Sequence, residues 1–145
     1  MLELPVRLLH PDARPPTRAY EGDAGFDLVS VEAASLGPGE RASLGCGIAI
    51  ELPEGTCALV LPRSGLARDH GVTVVNSPGL IDSGYRGELR VTLINTDRRT
   101  AFQVEPGMRI AQLLVVALPQ VAVIVRDALA ASARGEQGFG SSGRA

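Results

Sequence analysis

The chain has 145 residues, of which 45% are apolar and 21% are charged, and its formal net charge is −2. This length suits one domain with one core, and the composition excludes a wholly disordered chain. The small net charge argues against tight binding to a nucleic-acid backbone, which usually requires a basic surface. All 14 basic residues are arginine. Arginine suits a phosphate ligand, but genome composition is the favoured explanation of this bias.

Short strands separated by turns are predicted along most of the chain. Alternating apolar positions in some segments, and β-branched or aliphatic runs in others, are both typical of strands. In chain order the predicted strands are 2–8, 47–52, 57–61, 72–75, 89–93 and 121–125. The 17 glycines and 10 prolines keep the apolar segments short and exclude long helices. Such frequent short strands favour a β-sandwich or a barrel.

Two short helices and a C-terminal arm complete the predicted elements. Residues 64–70 and the alanine-rich residues 126–133 look helical, but neither is long enough to cover a parallel sheet. From Arg134 onward the sequence becomes rich in Gly and Ser. We therefore expect a single β domain over residues 1–133, followed by a flexible arm over residues 134–145.

The cysteines, the histidines and the longest apolar run exclude several other classes. Cys46 and Cys57 form no CxxC motif and are too few for a disulfide framework, so we expect two buried thiols. His10 and His70 form no spaced ligand set with the cysteines, so a zinc site is not expected. Polar residues and a proline interrupt the apolar run 110–125, which rules it out as a membrane span. The N-terminus lacks the pattern of an export signal, and we expect a cytoplasmic protein.

The segment 76–88 holds the densest group of candidate functional residues. It lies between two strand-like runs, which predicts a hairpin loop, and it combines an amide, a carboxylate, a tyrosine and an arginine with several glycines. An aspartate in a turn is ordinarily a structural residue. Asp82 by itself therefore indicates no function.

Five separated motifs occur in order along the chain. They are Ala24-Gly-Phe-Asp27-Leu28, Pro62-Arg63-Ser64-Gly65-Leu66-Ala67, Gly79-Leu-Ile-Asp82-Ser-Gly-Tyr85-Arg86-Gly87, Gly107-Met-Arg109-Ile-Ala-Gln112-Leu113 and Arg134-Gly-Glu-Gln-Gly138-Phe139-Gly140-Ser141-Ser142-Gly143. Together they resemble the signature of the trimeric dUTP pyrophosphatases. The resemblance implies an all-β fold, a distorted jelly-roll β-sandwich or barrel, and a homotrimer whose sites form between subunits. It also implies that the arm closes over the site, with no nucleic-acid or membrane partner.

The resemblance implies hydrolysis of dUTP to dUMP and pyrophosphate with Mg²⁺ as cofactor, which keeps uracil out of DNA and supplies dUMP for thymidylate synthesis. Asp82 is expected to be the catalytic residue, which orients and deprotonates the water that attacks the α-phosphorus. Asp27 is expected to hold Mg²⁺ through water, since this ion keeps much of its hydration shell. Phosphoryl transfer depends mostly on positioning and charge neutralisation. The residues expected to supply these, by resemblance, are Arg63, Ser64, Gly65, Gln112, Arg134, Gly140 and Ser141.

Selection of base and sugar is also expected, by resemblance, from the segment 76–88 and the arm. The amide of Asn76 and nearby backbone groups read the uracil edge, so that cytosine leaves mispaired buried groups. Tyr85 packs under the deoxyribose where a 2′-hydroxyl would clash, and Phe139 stacks over uracil as the arm closes. The substrate-binding residues expected from these parts of the chain are Asn76, Gly79, Ile81, Tyr85, Arg86 and Phe139.

Two alternative functions are weighed against this one. A dCTP deaminase of the same fold needs a glutamate ten residues after the aspartate, and that position here is Thr92. A non-catalytic β-sandwich that binds a nucleotide or a protein has no need for the carboxylate of Asp82. The enzyme is therefore the favoured prediction.

Overall fold

The regular secondary structure of the protein is almost entirely β. The computed structural model describes residues 2–138, which contain 11 strands and one helix. The strands are β1 Val6–Leu8, β2 Phe26–Val29, β3 Ala34–Leu36, β4 Arg41–Gly45, β5 Ile48–Ile50, β6 Thr56–Leu61, β7 Val72–Val74, β8 Gly79–Asp82, β9 Arg90–Asn95, β10 Phe102–Val104 and β11 Arg109–Ala117, and the helix is α1 Ser64–His70. The predicted all-β class is confirmed, as is the first predicted helix. Within the described range, no helix has the length and apolar character that a membrane crossing requires.

The strands pair into four antiparallel sheets. The largest has the order β2-β11-β6-β8 and the next has the order β4-β9-β7, while β1 pairs with β5 and β3 with β10. None of these sheets closes into a barrel within residues 2–138. Of the two expected architectures, the fold is therefore the jelly-roll-like β-sandwich.

One apolar core fills the space between the sheets. Alternation along β9 shows how the sequence builds it, because Val91 and Leu93 are 1% exposed while Thr92 between them is only partly buried. Both cysteines are buried, as predicted. Burial raises the pKa of the Cys46 thiol to about 12, so this thiol stays protonated and behaves as a small apolar side chain.

A buried asparagine ties two loops to this core. The side chain of Asn95 donates to the backbone carbonyls of Leu36 at 2.9 Å and Thr100 at 2.8 Å. Its carbonyl oxygen accepts the backbone N–H of Asp97 at 2.9 Å. Asn95 is 0% exposed, so water cannot reach its amide. These three hydrogen bonds therefore satisfy polar groups that would otherwise be buried without partners.

The predictions for the C-terminal part of the chain are wrong in two places. Residues 121–125 form no strand, and residues 126–133 form no helix. β-branched residues favour a strand only where a neighbouring strand can pair with them, and none of the described strands pairs with this segment. The second segment is too short to be a stable helix without packing. β11 ends at Ala117, and the predicted arm boundary at Arg134 stays a prediction.

Several strands were not predicted at all. They are β2, β3, β4, β10 and β11. The short polar strands carry little periodicity for a prediction to use. β8 is a different case, because it lies inside the segment predicted as a hairpin loop, and it places that segment at the edge of the largest sheet.

Candidate active site

A cavity of about 260 Å³ lies beside strand β8. It is bounded by residues of β6, β7, β8 and β9 and by the turn that follows β8. Five of the sequence-predicted site residues line it together, namely Asn76, Gly79, Ile81, Asp82 and Tyr85. The cavity also meets Glu88 and Arg90, which are not among the residues that the sequence predicts for the site.

The backbone of β8 forms one wall of this cavity. Among the described strands β8 pairs only with β6, so it is an edge strand there, and an edge strand presents unpaired N–H and C=O groups. A Cβ on Gly79 would lie 3.4 Å from Nδ2 of Asn76 and 3.3 Å from Cβ of Val60. The glycine therefore keeps open the space beside the Asn76 amide. A planar ligand with donors and acceptors along one side fits against such a wall.

Tyr85 and Asp82 lie on the turn that ends β8. The backbone N–H of Tyr85 donates to the carbonyl of Asp82 at 3.0 Å, which closes the turn. The Tyr85 hydroxyl donates to the backbone carbonyl of Glu88 at 2.9 Å. A Cβ on Gly87 would lie 2.6 Å from Cζ of Tyr85, so the ring folds across a position that only glycine can occupy. The ring is thereby held at the cavity, while the carboxylate of Asp82 is exposed to solvent.

A second cavity, of about 350 Å³, lies at the far edge of the same sheet. Its charged and polar lining comes from β2, β11, the loop before β2 and the junction between β6 and α1. These residues are Asp23, Asp27, Arg63, Ser64, Arg109 and Gln112, and Gly65 lies among them. All of them except Asp23 and Arg109 are predicted site residues. Arg109 lies within the fourth motif, which was the signal that could have found it.

Asp27 holds two arginines in this second cavity. Its Oδ1 lies 3.3 Å from Nε of Arg63, and its Oδ2 lies 3.1 Å from Nη1 of Arg109. Nη1 of Arg63 donates to the backbone carbonyl of Arg109 at 3.1 Å. The amide of Gln112 donates to the carbonyl of Pro62 at 2.9 Å. Two fixed guanidinium groups offer the planar donors that suit phosphate oxygens.

The carboxylates of the second cavity fit a magnesium ion held mainly by water and substrate. Within the described residues, no three carboxylate, histidine or cysteine side chains come together as a cage for a metal. Mg²⁺ usually binds through one or two carboxylates plus waters and phosphates. Because both oxygens of Asp27 face arginines and its side chain is only 17% exposed, this carboxylate would meet such an ion through a bridging water and not as a direct ligand.

The two cavities are far apart within one chain. Asp82 and Asp27 lie on the two edge strands of the sheet, three strand spacings apart, and the register offsets them by four residues. With about 4.8 Å per spacing and about 3.3 Å per residue, their separation is roughly 20 Å. This exceeds the reach of the few bonds that join the first and last phosphorus atoms of a triphosphate.

The remaining predicted residues are not brought to either cavity. The guanidinium of Arg86 donates to the carbonyls of Ser83 and Tyr85 at 2.6 and 2.9 Å and lies 3.5 Å from Glu51. Nε of Arg134 donates to the carbonyl of Gln137 at 2.9 Å, on exposed chain. Their contacts with substrate stay predictions. Phe139, Gly140 and Ser141 lie outside the described residues.

Comparisons with known proteins agree on one family. The profile of the dUTPase family matches residues 12–143. A relative from Thermobifida fusca (strain YX), named deoxyuridine 5'-triphosphate nucleotidohydrolase, is 52% identical over 95% of this chain and 77% of its own length. A relative of the same name from Tropheryma whipplei (strain Twist) is 50% identical over 96% of this chain and 95% of its own.

Solved structures give the same result. The dUTPase of Staphylococcus bacteriophage 80alpha with dUPNHPP is 31% identical, with a TM-score of 0.91 over 99% of this chain and all of that one. A mutant dUTPase from phage phi11 of S. aureus, described for its coordination of a structural Mg(II) ion, is 27% identical. Its TM-score is 0.83, over 90% of this chain and all of that one.

Proposed function

The chain belongs to the dUTPase family and is an enzyme that hydrolyses dUTP, and we propose that its catalytic carboxylate is Asp82. The single observation that carries this proposal is the cavity beside β8. There Asp82 lies with an exposed carboxylate next to the strand edge, the Asn76 amide and the Tyr85 ring. These groups match the three parts of the substrate that must be recognised together, which are the base, the sugar and the α-phosphate.

Asp82 takes a proton from the attacking water. The water oxygen forms a bond to the α-phosphorus, and the bond from that phosphorus to the oxygen bridging the β-phosphate breaks. The products are dUMP and pyrophosphate. A carboxylate suits this role because it accepts a hydrogen bond from water and so orients it. No covalent intermediate is required, since phosphoryl transfer depends mainly on positioning and charge neutralisation.

Selection of the base rests on the edge of β8. Its unpaired backbone groups and the Asn76 amide exchange hydrogen bonds with the uracil edge, and cytosine reverses donor and acceptor at two adjacent positions, ring N3 and the group on C4. A mispaired group in a closed pocket costs about 1–3 kcal/mol, which gives discrimination against dCTP. Tyr85 lies under the deoxyribose and excludes a 2′-hydroxyl by its bulk.

The second cavity binds the phosphates. Arg63 and Ser64 contact the phosphate oxygens, and Gln112 adds an amide donor. When Mg²⁺ is bound, it supplies positive charge that offsets the charge of the triphosphate. Asp27 is the residue that would hold this ion through water, and the dependence of activity on Mg²⁺ is part of the proposal.

One complete site combines two copies of the chain, in a homotrimer. The roughly 20 Å between Asp82 and Asp27 supports this, because one substrate cannot reach both in the same copy. An apolar sheet face supports it too, since Leu59, Leu80 and Leu114 lie side by side on adjacent strands and Leu80 is 64% exposed. The apolar side chains of residues 121–129 are 68–93% exposed. In a ring where each copy contacts the next, the cavity beside β8 of one copy lies next to the second cavity of its neighbour, which binds the phosphates.

The arm from Arg134 onward completes the site. Arg134 contributes to phosphate binding, and Phe139, Gly140 and Ser141 cover the uracil and the phosphates. Closure of such a segment excludes water and ties specificity to substrate arrival. A cytoplasmic location, where the nucleotide pool is found, is also part of the proposal.

The test is pyrophosphate release from dUTP, dCTP, dTTP and UTP, compared side by side with Mg²⁺ and with EDTA. We expect turnover of dUTP alone, and only with the metal. Asp82→Asn should abolish turnover while binding of a non-hydrolysable dUTP analogue remains measurable by calorimetry. Asp12→Asn is the matched control, because the Asp12 side chain is 76% exposed and lines neither cavity. Near-normal turnover by Asp82→Asn would exclude the assigned role.

A further inference from the structure

A network of three charged side chains lies directly behind the turn that carries Tyr85. Arg90 lies 3.1 Å from each carboxylate oxygen of Glu32, one from Nη1 and one from Nη2. Its Nη1 lies 3.2 Å from Oε2 of Glu88, and its Nη2 donates to the backbone carbonyl of Ser43 at 2.8 Å. The guanidinium thus joins three segments of the chain that are distant in sequence.

Glu88 connects this network to Tyr85. Oε1 of Glu88 accepts the backbone N–H of Gly47 at 2.9 Å, while the backbone carbonyl of Glu88 accepts the Tyr85 hydroxyl at 2.9 Å. Glu88 is therefore fixed at two places. Gly47 and Arg90 hold its carboxylate, and Tyr85 holds its backbone carbonyl. Movement of Glu88 would move the acceptor that orients the phenol.

Gly45 shows that the fold leaves space for this arrangement. A Cβ on Gly45 would lie 2.5 Å from Oε1 of Glu88, 3.0 Å from Nη1 of Arg90 and 3.0 Å from Oε1 of Glu32. All three charged groups therefore meet at Gly45, where a side chain would displace them. The Arg90 hydrogen bond also holds the pKa of Glu32 below its usual range, so the Glu32 carboxylate stays charged at neutral pH and keeps its contact with the guanidinium.

We infer that Arg90 is a positioning residue that acts through Glu88 to hold Tyr85 in the place where it rejects ribonucleotides. This rests on the proposed role of Tyr85 in sugar selection. The three side chains are 31–42% exposed, and ion pairs that are open to solvent add little to stability. The network should therefore affect selectivity far more than the melting temperature.

The experiment measures kcat/KM for dUTP and for UTP in the full-length, Mg²⁺-loaded enzyme. Arg90→Met should lower the dUTP/UTP ratio about tenfold, the effect expected from one lost charge-assisted hydrogen bond. Arg90→Lys should restore part of it, because a lysine keeps the charge but not the two-pronged contact. Arg68→Met is the matched control: Arg68 also forms an ion pair, with Asp69, but its side chain is 81% exposed.

A spectroscopic measurement follows the ring itself. The chain has no tryptophan and two tyrosines, so Tyr20→Phe leaves Tyr85 as the only source of tyrosine signal. In that background, Arg90→Met should reduce the near-ultraviolet circular dichroism of the ring while the far-ultraviolet spectrum stays the same. A purely structural role for Arg90 would instead change both spectra together.

Two results would overturn the inference, and they are distinguishable. If Tyr85→Ala lowers the dUTP/UTP ratio but Arg90→Met lowers both rates by the same factor, Arg90 does not position Tyr85. If Tyr85→Ala leaves the ratio unchanged, the proposed role of Tyr85 is wrong and the inference fails with it. Should Arg90→Met not fold, Glu88→Gln replaces it, since it removes the charge that Arg90 contacts and keeps the size of the side chain. An unchanged ratio in that variant also refutes the inference.

Discussion

Mixing two inactive variants tests whether each site draws on two copies of the chain. Asp82→Asn removes the proposed catalytic carboxylate from the cavity beside β8, and Arg63→Ala removes a proposed phosphate contact from the second cavity. Within one chain these cavities are roughly 20 Å apart. If one site takes Asp82 from one copy and Arg63 from the next, a mixed oligomer contains a site in which both residues are intact.

The expected recovery follows from counting. In an equal, randomly assembled mixture, a site is intact when the copy that supplies Asp82 carries only Arg63→Ala and the copy that supplies Arg63 carries only Asp82→Asn. This holds for about one quarter of sites. Pyrophosphate release from the mixture, after co-expression or joint refolding, should therefore reach about one quarter of the wild-type rate per site. Each variant alone, refolded in the same way, is the control. Activity no greater than the sum of the two variants would mean that each site lies within one chain.

Four further predictions concern the arm, the assembly and stability. Truncation after Ala133 should leave the far-ultraviolet spectrum unchanged but remove most activity; full pyrophosphate release would exclude the arm from the mechanism. Val123→Asp should shift sedimentation toward a folded monomer, because this 93% exposed side chain would enter a subunit contact as a charge. Asn95→Ala should lower the free energy of unfolding by about 3 kcal/mol in urea titrations, since it leaves buried groups unpaired; a loss below about 1 kcal/mol would contradict that. Glu32 has a lowered pKa in the folded state, so its stabilisation is complete above the unfolded pKa and is lost as pH falls through the folded value. Glu32→Gln should flatten that acid-side loss of stability, and an unchanged pH profile would argue against the contribution.

The fold class could be predicted from local patterns, and individual strands only in part. Residues 57–61 and 72–75 are aliphatic runs bounded by turns, and both are strands with small shifts at their ends. β4 and β10 are different, because their sequences are short and contain polar residues. They are strands because β9 and β3 lie beside them and satisfy their backbone groups. Pairing of that kind depends on tertiary structure, which a local pattern does not contain.

The candidate site divides in a similar way. The motifs supplied many of the residues that line the two cavities, including Asp82 and Arg63, because functional side chains cluster in short recognisable segments. They did not supply Glu32 or Arg90, which the fold brings together from positions 58 residues apart. Nor did they predict that Asp27 would be paired with two arginines. Contacts between distant segments follow from strand register, which the sequence does not display.

One physical explanation accounts for two findings. The first is the wrong prediction at residues 121–125, and the second is the division of the site into two distant cavities. A run of β-branched residues that pairs with none of the described strands lacks the neighbour that its composition favours. A carboxylate that lies roughly 20 Å from the arginines of the second cavity lacks the rest of the proposed site. In the proposed homotrimer, a second copy of the chain would supply both missing neighbours at once, the strand partner and the phosphate cavity. Assembly and catalysis should therefore be lost together, and a monomeric variant should retain its fold but not its turnover.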